Sequence, residues 1–228
     1  MRSTVRSLGA LSLTALVIIS ATGCASLSRK EKGAIIGAGA GAVIGGAIGK
    51  YNGSTAKGAI VGAVVGGAAG AIIGHQMDQQ AKELKQNIPG AIVERVGEGI
   101  QVTFESGLLF EFDSDVVKGS AQSNLTTLAK SLDQYPKSNL LIVGHTDSVG
   151  THAYNEDLSR RRAQAAANAL ATDGVARSRL QTMGLGETEP VNMANTDAAR
   201  AQNRRVEVAI YASPELVAEA KRKAGANE

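Results

Sequence analysis

The sequence predicts an α+β domain that follows a pair of glycine-rich helices. From about residue 91 onward, short apolar runs with a period of two alternate with stretches of helical periodicity. Before them, residues 33–74 contain a duplicated pattern in which glycine recurs at every fourth position. We therefore expect a βαβ-type domain over residues 91–212, preceded by a helical glycine-zipper hairpin over residues 33–74.

Residues 1–23 have the features of a secretory signal peptide. Two arginines precede an apolar run of about a dozen residues, and small residues follow that run. Cys24 comes next, where signal cleavage would make it the first residue of the mature chain. This arrangement resembles the bacterial lipobox, whose cysteine is acylated. Cys24 is therefore the predicted lipidation site, followed by a short linker over residues 24–32.

The glycine pattern occurs twice, over residues 33–49 and 58–74. Its glycines are Gly33, Gly37, Gly41, Gly45 and Gly49 in the first copy and Gly58, Gly62, Gly66, Gly70 and Gly74 in the second. A spacing of four places each set on one helical face, where another helix can approach closely. Neither copy contains a charged residue. We expect two membrane-embedded helices joined by the polar residues 50–57. A membrane oligomer or pore, a flexible spacer and a soluble packed hairpin are the alternatives.

The remaining elements are predicted from periodicity and from turn residues. The expected strands are 91–96, 100–104, 140–143, 179–183 and 206–210, and Leu108, Phe110 and Phe112 continue the period of two. The expected helices are 75–87, 119–135, 155–172 and 195–202. Residues 75–90 are predicted to connect the zipper to the domain. Residues 213–228 form a charged tail, and residues 206–210 are predicted to be half-buried.

Composition excludes several classes of function. Removing residues 1–23 leaves 22 basic against 21 acidic residues, and aromatic residues make up only 3% of the chain. We therefore expect no nucleic-acid partner. The single cysteine excludes an intramolecular disulfide and any site built from several cysteines. His145 and His152 flank Asp147 without a third strong ligand, so we expect no metal, no cofactor and no catalytic residue.

A candidate binding site is predicted where the apolar strand 140–143 ends. Asp147 follows this strand and faces the start of the next helix, a common place for ligand recognition. Within that helix, Arg162 lies one turn after Leu158 and therefore shares its inward face. A carboxylate and a guanidinium in one site suit a zwitterionic ligand that carries both an ammonium and a carboxylate. The alternative is that Asp147 and Arg162 simply pair with each other.

Four segments, in order, resemble one known domain. They are GHTD at residues 144–147, YNEDLSRRRA at 154–163, GLGETEP at 184–190 and AQNRRVEVAI at 201–210. This set looks like the OmpA-like domain of diderm bacteria, which binds peptidoglycan without a covalent bond. With the lipobox and the glycine zipper before it, the whole chain resembles the YiaD-like lipoproteins.

The resemblance implies a site and a location. Asp147 and Arg162 occupy the positions that grip diaminopimelate in the peptidoglycan stem peptide. Further motif positions that line or brace that site are Thr146, Asn155, Leu158, Phe112, Asp113 and Arg205. The implied protein tethers the outer membrane to the cell wall, with its C-terminal domain in the periplasm and the inner membrane as the alternative location. A zipper-mediated oligomer or pore, or an envelope-stress factor that uses wall binding for localisation, is the alternative function.

Overall fold

The computed structural model describes residues 50–226. The predicted signal peptide, the predicted lipidation site Cys24 and the first glycine copy lie outside the described residues. Five strands form one sheet: β1 (Ile92–Val96), β2 (Gly99–Glu105), β3 (Ser138–Gly144), β4 (Leu180–Gly184) and β5 (Arg205–Ala212). Their order across the sheet is β1-β2-β5-β3-β4.

Seven α-helices accompany the sheet in the described part of the chain. They are α1 (Thr55–Gly62), α2 (Gly67–Asn87), α3 (Ser106–Leu109), α4 (Gly119–Gln134), α5 (His152–Thr172), α6 (Asp197–Asn203) and α7 (Pro214–Gly225). Strands β3 and β4 pair in parallel and are connected through α5, whereas all other strand pairs are antiparallel. The α+β class and the βαβ unit predicted from the sequence are confirmed.

The central strands β2, β5 and β3 are buried on both faces of the sheet. Strand β3 shows how, because its apolar residues 140–143 alternate between two hydrophobic clusters. Leu140 and Ile142 belong to the main core, which also contains residues of α2, α4, α5 and α7. Leu141 and Val143 belong to a smaller cluster on the opposite face, where α1 contributes Ile60. Helix α1 therefore provides the second layer over the sheet.

Strand β5 departs from the expected half-buried pattern. All eight of its residues are buried, and Glu207, predicted to face solvent, is only 2% exposed. The reason is that α1 covers the face that strand alternation alone would leave open. The tail also differs from expectation, since α7 is an amphipathic helix whose Leu216 and Val217 pack into the main core.

The second glycine copy does not form one continuous helix. Helix α1 ends at Gly62, and α2 begins at Gly67 and continues beyond residue 74 to Asn87. Gly66 and Gly67 have φ values of 73° and 62°, a conformation that glycine adopts without steric cost. The prediction of one continuous helix over residues 58–74 is therefore wrong. The helix predicted over residues 75–87 is present as the later part of α2, which leads out of the glycine copy without a break.

The interruption takes the chain from one face of the sheet to the other. Ile60 before it lies in the smaller cluster, and Ile73 after it lies in the main core. The carboxylate of Glu98, in the β1–β2 turn, accepts hydrogen bonds from the backbone N–H groups of Val65 and Gly66 at 2.8 Å each. These bonds satisfy donors that the break in the helix exposes.

Among residues 50–226, the helices lack the combination of length and apolarity that a bilayer span requires.

The segment after β2 is also not the strand that Leu108, Phe110 and Phe112 predicted. A single helical turn, α3, ends at Leu109, and Phe110 forms only an isolated bridge with Val117. Leu109 and Phe110 are buried, but Phe112 is 91% exposed. The period of two was misleading here because only part of this apolar pattern reaches the core.

Glycines at the strand ends allow α5 to lie close to the sheet. A Cβ atom at Gly144 would lie 2.1 Å from the carbonyl oxygen of Ser159, and one at Gly184 would lie 2.4 Å from the backbone nitrogen of Arg160. The hydroxyl of Ser159 also accepts a hydrogen bond from the N–H of Gly186 at 2.9 Å. This close approach fixes the start of α5 beside the loop that follows β3.

Replacing Gly144 by alanine should therefore destabilise the domain. Overpacking typically costs about 1–3 kcal/mol, and each kcal/mol lowers the melting temperature of a domain of this size by roughly 2–4 °C. Thermal unfolding followed by circular dichroism measures the change. Gly119→Ala is the matched control, because its new Cβ meets nothing within 4 Å. Equal melting temperatures for Gly144→Ala and the parent would contradict this packing.

Candidate functional site

A cleft of about 820 Å³ lies at the carboxyl end of β3. Its walls come from the loop after β3, the first turns of α5, the segment around α3 and helix α6. Seven of the predicted site residues line it: Asp147, Arg162, Thr146, Asn155, Leu158, Phe112 and Asp113. Residues from four separate parts of the chain therefore meet in one cavity.

Asp147 is held in the loop by two hydrogen bonds. It is 8% exposed; its Oδ1 accepts from the N–H of Val149 at 3.0 Å, and its Oδ2 accepts from Nη1 of Arg204 at 2.5 Å. The cation that pairs with Asp147 is thus Arg204 and not Arg162. A carboxylate has about four acceptor sites, so both oxygens can still accept from a ligand.

Arg162 is a buried cation without a carboxylate partner among residues 50–226. It is 3% exposed, its Nε donates to the carbonyl oxygen of Ser114 at 2.9 Å, and its guanidinium carbon lies 5.5 Å from the centroid of the Phe110 ring. Burial lowers its pKa, but a guanidinium stays protonated in proteins. In the described part of the chain, neither Nη group has a hydrogen-bond partner, and both belong to a side chain that lines the cleft.

The other basic residues of the cleft have acidic partners. Besides the pair of Arg204 with Asp147, Lys118 contacts Glu111 at 3.1 Å, and Arg200 contacts Asp197 at 2.5 Å. These pairs leave Arg162 as the basic residue of the described cleft whose charge is not matched by a contacting carboxylate. The electrostatics therefore favour an anionic group of a ligand at Arg162.

The rim of the cleft is fixed by a contact between α5 and the loop after α3. The hydroxyl of Tyr154 donates to Oδ1 of Asp113, and this bond raises the pKa of the tyrosine. Asp113 has φ 57°, a left-handed conformation that aspartate tolerates better than most residues. Next to it, the exposed side chain of Phe112 supplies an apolar surface at the mouth of the cleft.

Arg205, the eighth predicted site residue, does not line the cleft. It is 3% exposed; its Nε donates to Glu207 at 2.8 Å, and its Nη2 donates to the carbonyl oxygen of Glu189 at 3.1 Å. Arg204, which sequence reasoning missed, faces the cleft instead. The pair Arg204-Arg205 enters strand β5, where successive side chains point to opposite faces, so only one of the two can reach the cleft.

His145 is buried directly before the loop that contains Asp147. Burial lowers its pKa well below the ordinary value of 6.5, and the nearby positive charges of Arg205 and Lys50 lower it further. The carboxylate of Glu207 lies near the ring, with its Oε2 3.9 Å from Nε2 of His145. The imidazole is therefore neutral in the folded protein near neutral pH.

The free energy of unfolding should consequently fall as the pH drops below 6.5. There, the unfolded chain binds a proton at His145 that the folded chain does not, which costs stability at up to about 1.4 kcal/mol per pH unit. Urea unfolding at pH 7.5 and 5.5 measures this loss. We expect it to be about 1 kcal/mol larger in the parent than in His145→Gln. Identical losses in the two proteins would contradict a neutral buried imidazole.

Comparison with known protein families identifies two regions. Residues 109–204 match the OmpA family, and residues 1–78 match the YMGG-like Gly-zipper family. The sheet and the cleft described above are thus those of a protein with an OmpA-family domain after a glycine zipper.

Similar proteins give a more specific assignment. The chain is 37% identical to the probable lipoprotein YiaD of Escherichia coli over 201 residues, which cover 84% of this chain and 92% of that protein. The chain therefore belongs to the YiaD family of lipoproteins, which confirms the resemblance seen in the sequence. It is also 34% identical to the peptidoglycan-associated lipoprotein of Brucella melitensis over 51% of this chain and 69% of that protein.

Among solved structures, the chain is similar to the cell wall anchor of the T6SS from Pseudomonas aeruginosa. The identity is 32% and the TM-score is 0.50, and the match covers 62% of this chain and 97% of that one.

Proposed function

We propose that this protein is a lipoprotein that binds peptidoglycan non-covalently and tethers the outer membrane to the cell wall. Similarity to a peptidoglycan-associated lipoprotein and to a cell wall anchor supports wall binding and a location in the cell envelope. Lipid chains on Cys24 hold one end of the chain, and the OmpA-family domain holds the wall. We infer binding without turnover.

The observation that carries the proposal is the buried guanidinium of Arg162. A buried charge without a partner is costly, so its presence in a cleft favours a ligand that supplies the missing carboxylate. Asp147, with acceptor sites to spare, lies in the same cleft and suits a positively charged donor. The two side chains together fit a ligand that carries both charges.

Diaminopimelate in a peptidoglycan stem peptide is such a ligand. The end of its side chain bears an ammonium and a carboxylate on one carbon. We place the carboxylate against Arg162 and the ammonium against Asp147. Hydrogen bonds to charged groups contribute about 1.5–3 kcal/mol each, so two such contacts with additional apolar contacts reach micromolar affinity. Attachment to a membrane then raises the effective concentration of the domain near the wall.

Co-sedimentation of the detergent-solubilised chain with purified sacculi tests this function. We expect the chain to sediment with sacculi that contain diaminopimelate and to bind lysine-type sacculi at least 10-fold more weakly, because lysine lacks the second carboxylate. Free meso-diaminopimelate should compete. Equal binding to both wall types would contradict recognition of diaminopimelate, and binding to neither would contradict the wall-binding function itself.

Membrane attachment is tested separately in cells. Labelled palmitate should enter the parent protein but not Cys24→Ser, and a sucrose gradient should place the labelled parent with the outer membrane. Recovery of the labelled protein in the inner-membrane fraction would contradict a tether between the outer membrane and the wall.

A further inference from the structure

The start of α1, just before the second glycine copy, is joined by buried polar contacts to strand β5 and to the segment after β4. Thr55 donates to both oxygens of the Glu189 carboxylate, from its backbone N at 3.0 Å and from its Oγ1 at 2.6 Å. Ser54 donates from Oγ to Oε2 of Glu207 at 2.9 Å. All four of these residues are buried. We refer to these three hydrogen bonds as the Ser54–Thr55 contact.

The carboxylate of Glu189 depends on this contact. Its side chain has no exposed surface, and within residues 50–226 the partners of its carboxylate are Thr55 and Lys50, whose Nζ lies 3.2 Å from Oε1. Arg205 binds the carbonyl oxygen of Glu189 but directs its Nε to Glu207. Removing the hydroxyl of Thr55 would leave one oxygen of a buried carboxylate under-satisfied, which is costly enough to displace the segment around Glu189.

The segment around Glu189 in turn reaches the cleft loop. The side chain of Arg205 donates to Glu189. The carbonyl oxygen of Arg205 accepts a hydrogen bond from the N–H of His145 at 2.9 Å. The next residue, Thr146, donates its N–H to the carbonyl oxygen of Gly186 at 2.9 Å. Asp147 follows directly. A continuous set of hydrogen bonds and short backbone connections therefore links Thr55 to the residue that we assign to the ligand ammonium.

We propose that Ser54 and Thr55 are positioning residues for the wall-binding cleft, so that the docked glycine segment holds the Asp147 loop in its binding geometry. This inference rests on the proposed function. Because binding free energies are coupled reciprocally, a ligand in the cleft must also tighten the Ser54–Thr55 contact. The membrane-proximal part of the chain and the wall site then act on each other without touching.

Isothermal titration of the full chain with a soluble muropeptide that carries meso-diaminopimelate tests whether Ser54 and Thr55 position the cleft. We expect Thr55→Val, which keeps the shape but loses the hydroxyl, to weaken binding at least fivefold. Thr55→Ser should restore it. Lys57→Ala is the matched control, because Lys57 lies in the same helix but pairs with Glu94, outside the contact. Circular dichroism verifies that each variant is folded.

Hydrogen exchange of the parent protein tests whether a ligand in the cleft tightens the Ser54–Thr55 contact. The muropeptide should slow exchange of the backbone amides of residues 55–62, and the same addition to Asp147→Ala should not. A positioning role is overturned if Thr55→Val binds as tightly as the parent, or if the muropeptide leaves exchange in residues 55–62 unchanged. Failure of the parent to bind the muropeptide would instead overturn the proposed function together with this inference.

Discussion

Replacing Arg162 by alanine should reduce affinity for a diaminopimelate muropeptide by about 30-fold or more. Truncating one partner of a buried, hydrogen-bonded charge pair costs 2–5 kcal/mol of binding free energy. The same change should alter stability little, because the described structure provides no carboxylate to Arg162 that would be left unpaired. The side chain loses one bond to a carbonyl oxygen and its contact with Phe110, but the folded state no longer buries an unmatched charge.

Arg161→Ala is the matched control for this prediction. Arg161 is the preceding residue of α5, and it pairs with Asp157 and Asp115 outside the cleft. Isothermal titration and thermal unfolding should therefore show parent-like affinity for Arg161→Ala and a selective loss of affinity for Arg162→Ala. If the two variants bind equally well, or if Arg162→Ala fails to fold, Arg162 has a structural role and the assignment of the cleft is wrong.

Replacing Arg205 by methionine should have the largest effect on stability. The change removes the cation that pairs with Glu207 and leaves that carboxylate buried, which costs about 3–5 kcal/mol. For a domain of this size, this loss corresponds to a fall in melting temperature of about 10 °C. Arg204→Met should lower the melting temperature far less, because Arg204 is about one third exposed and its partner Asp147 lines the open cleft and keeps the bond from Val149.

The two adjacent arginines therefore have different roles, because Arg205 stabilises the fold and Arg204 lines the cleft. Differential scanning calorimetry of both variants measures the contrast. A smaller loss of stability in Arg205→Met than in Arg204→Met would contradict the placement of Arg205 on the buried side of β5.

Sequence periodicity predicted most elements of the domain because each carries a local signal. Strand β3 is a short apolar run, and α4 has a clear apolar stripe that ends before Pro136. The break in the second glycine copy has no such signal. A spacing of four is compatible with an unbroken helix, and the bonds that the N–H groups of Val65 and Gly66 donate to Glu98, far along the chain, stabilise the turn at Gly66.

Long-range partners also explain why the burial of Glu207 and the place of Arg204 in the cleft were not predicted. Glu207 alternates with apolar residues and therefore looks exposed, but Ser54 and Arg205 satisfy its carboxylate inside the protein. The motif resemblance predicted that Asp147 and Arg162 share one site, and both line the cleft. It did not reveal that Arg204 pairs with Asp147, because the face on which Arg204 lies depends on where β5 begins.

A crystal structure of the protein soaked with meso-diaminopimelate tests the central claim most directly. We predict that one ligand carboxylate lies about 2.7–2.9 Å from an Nη group of Arg162, while the ammonium on the same carbon lies at a similar distance from a carboxylate oxygen of Asp147. Ligand bound outside the cleft, or bound inside it with either side chain turned away, would contradict the assignment of Asp147 and Arg162 as the pair that holds the cell wall.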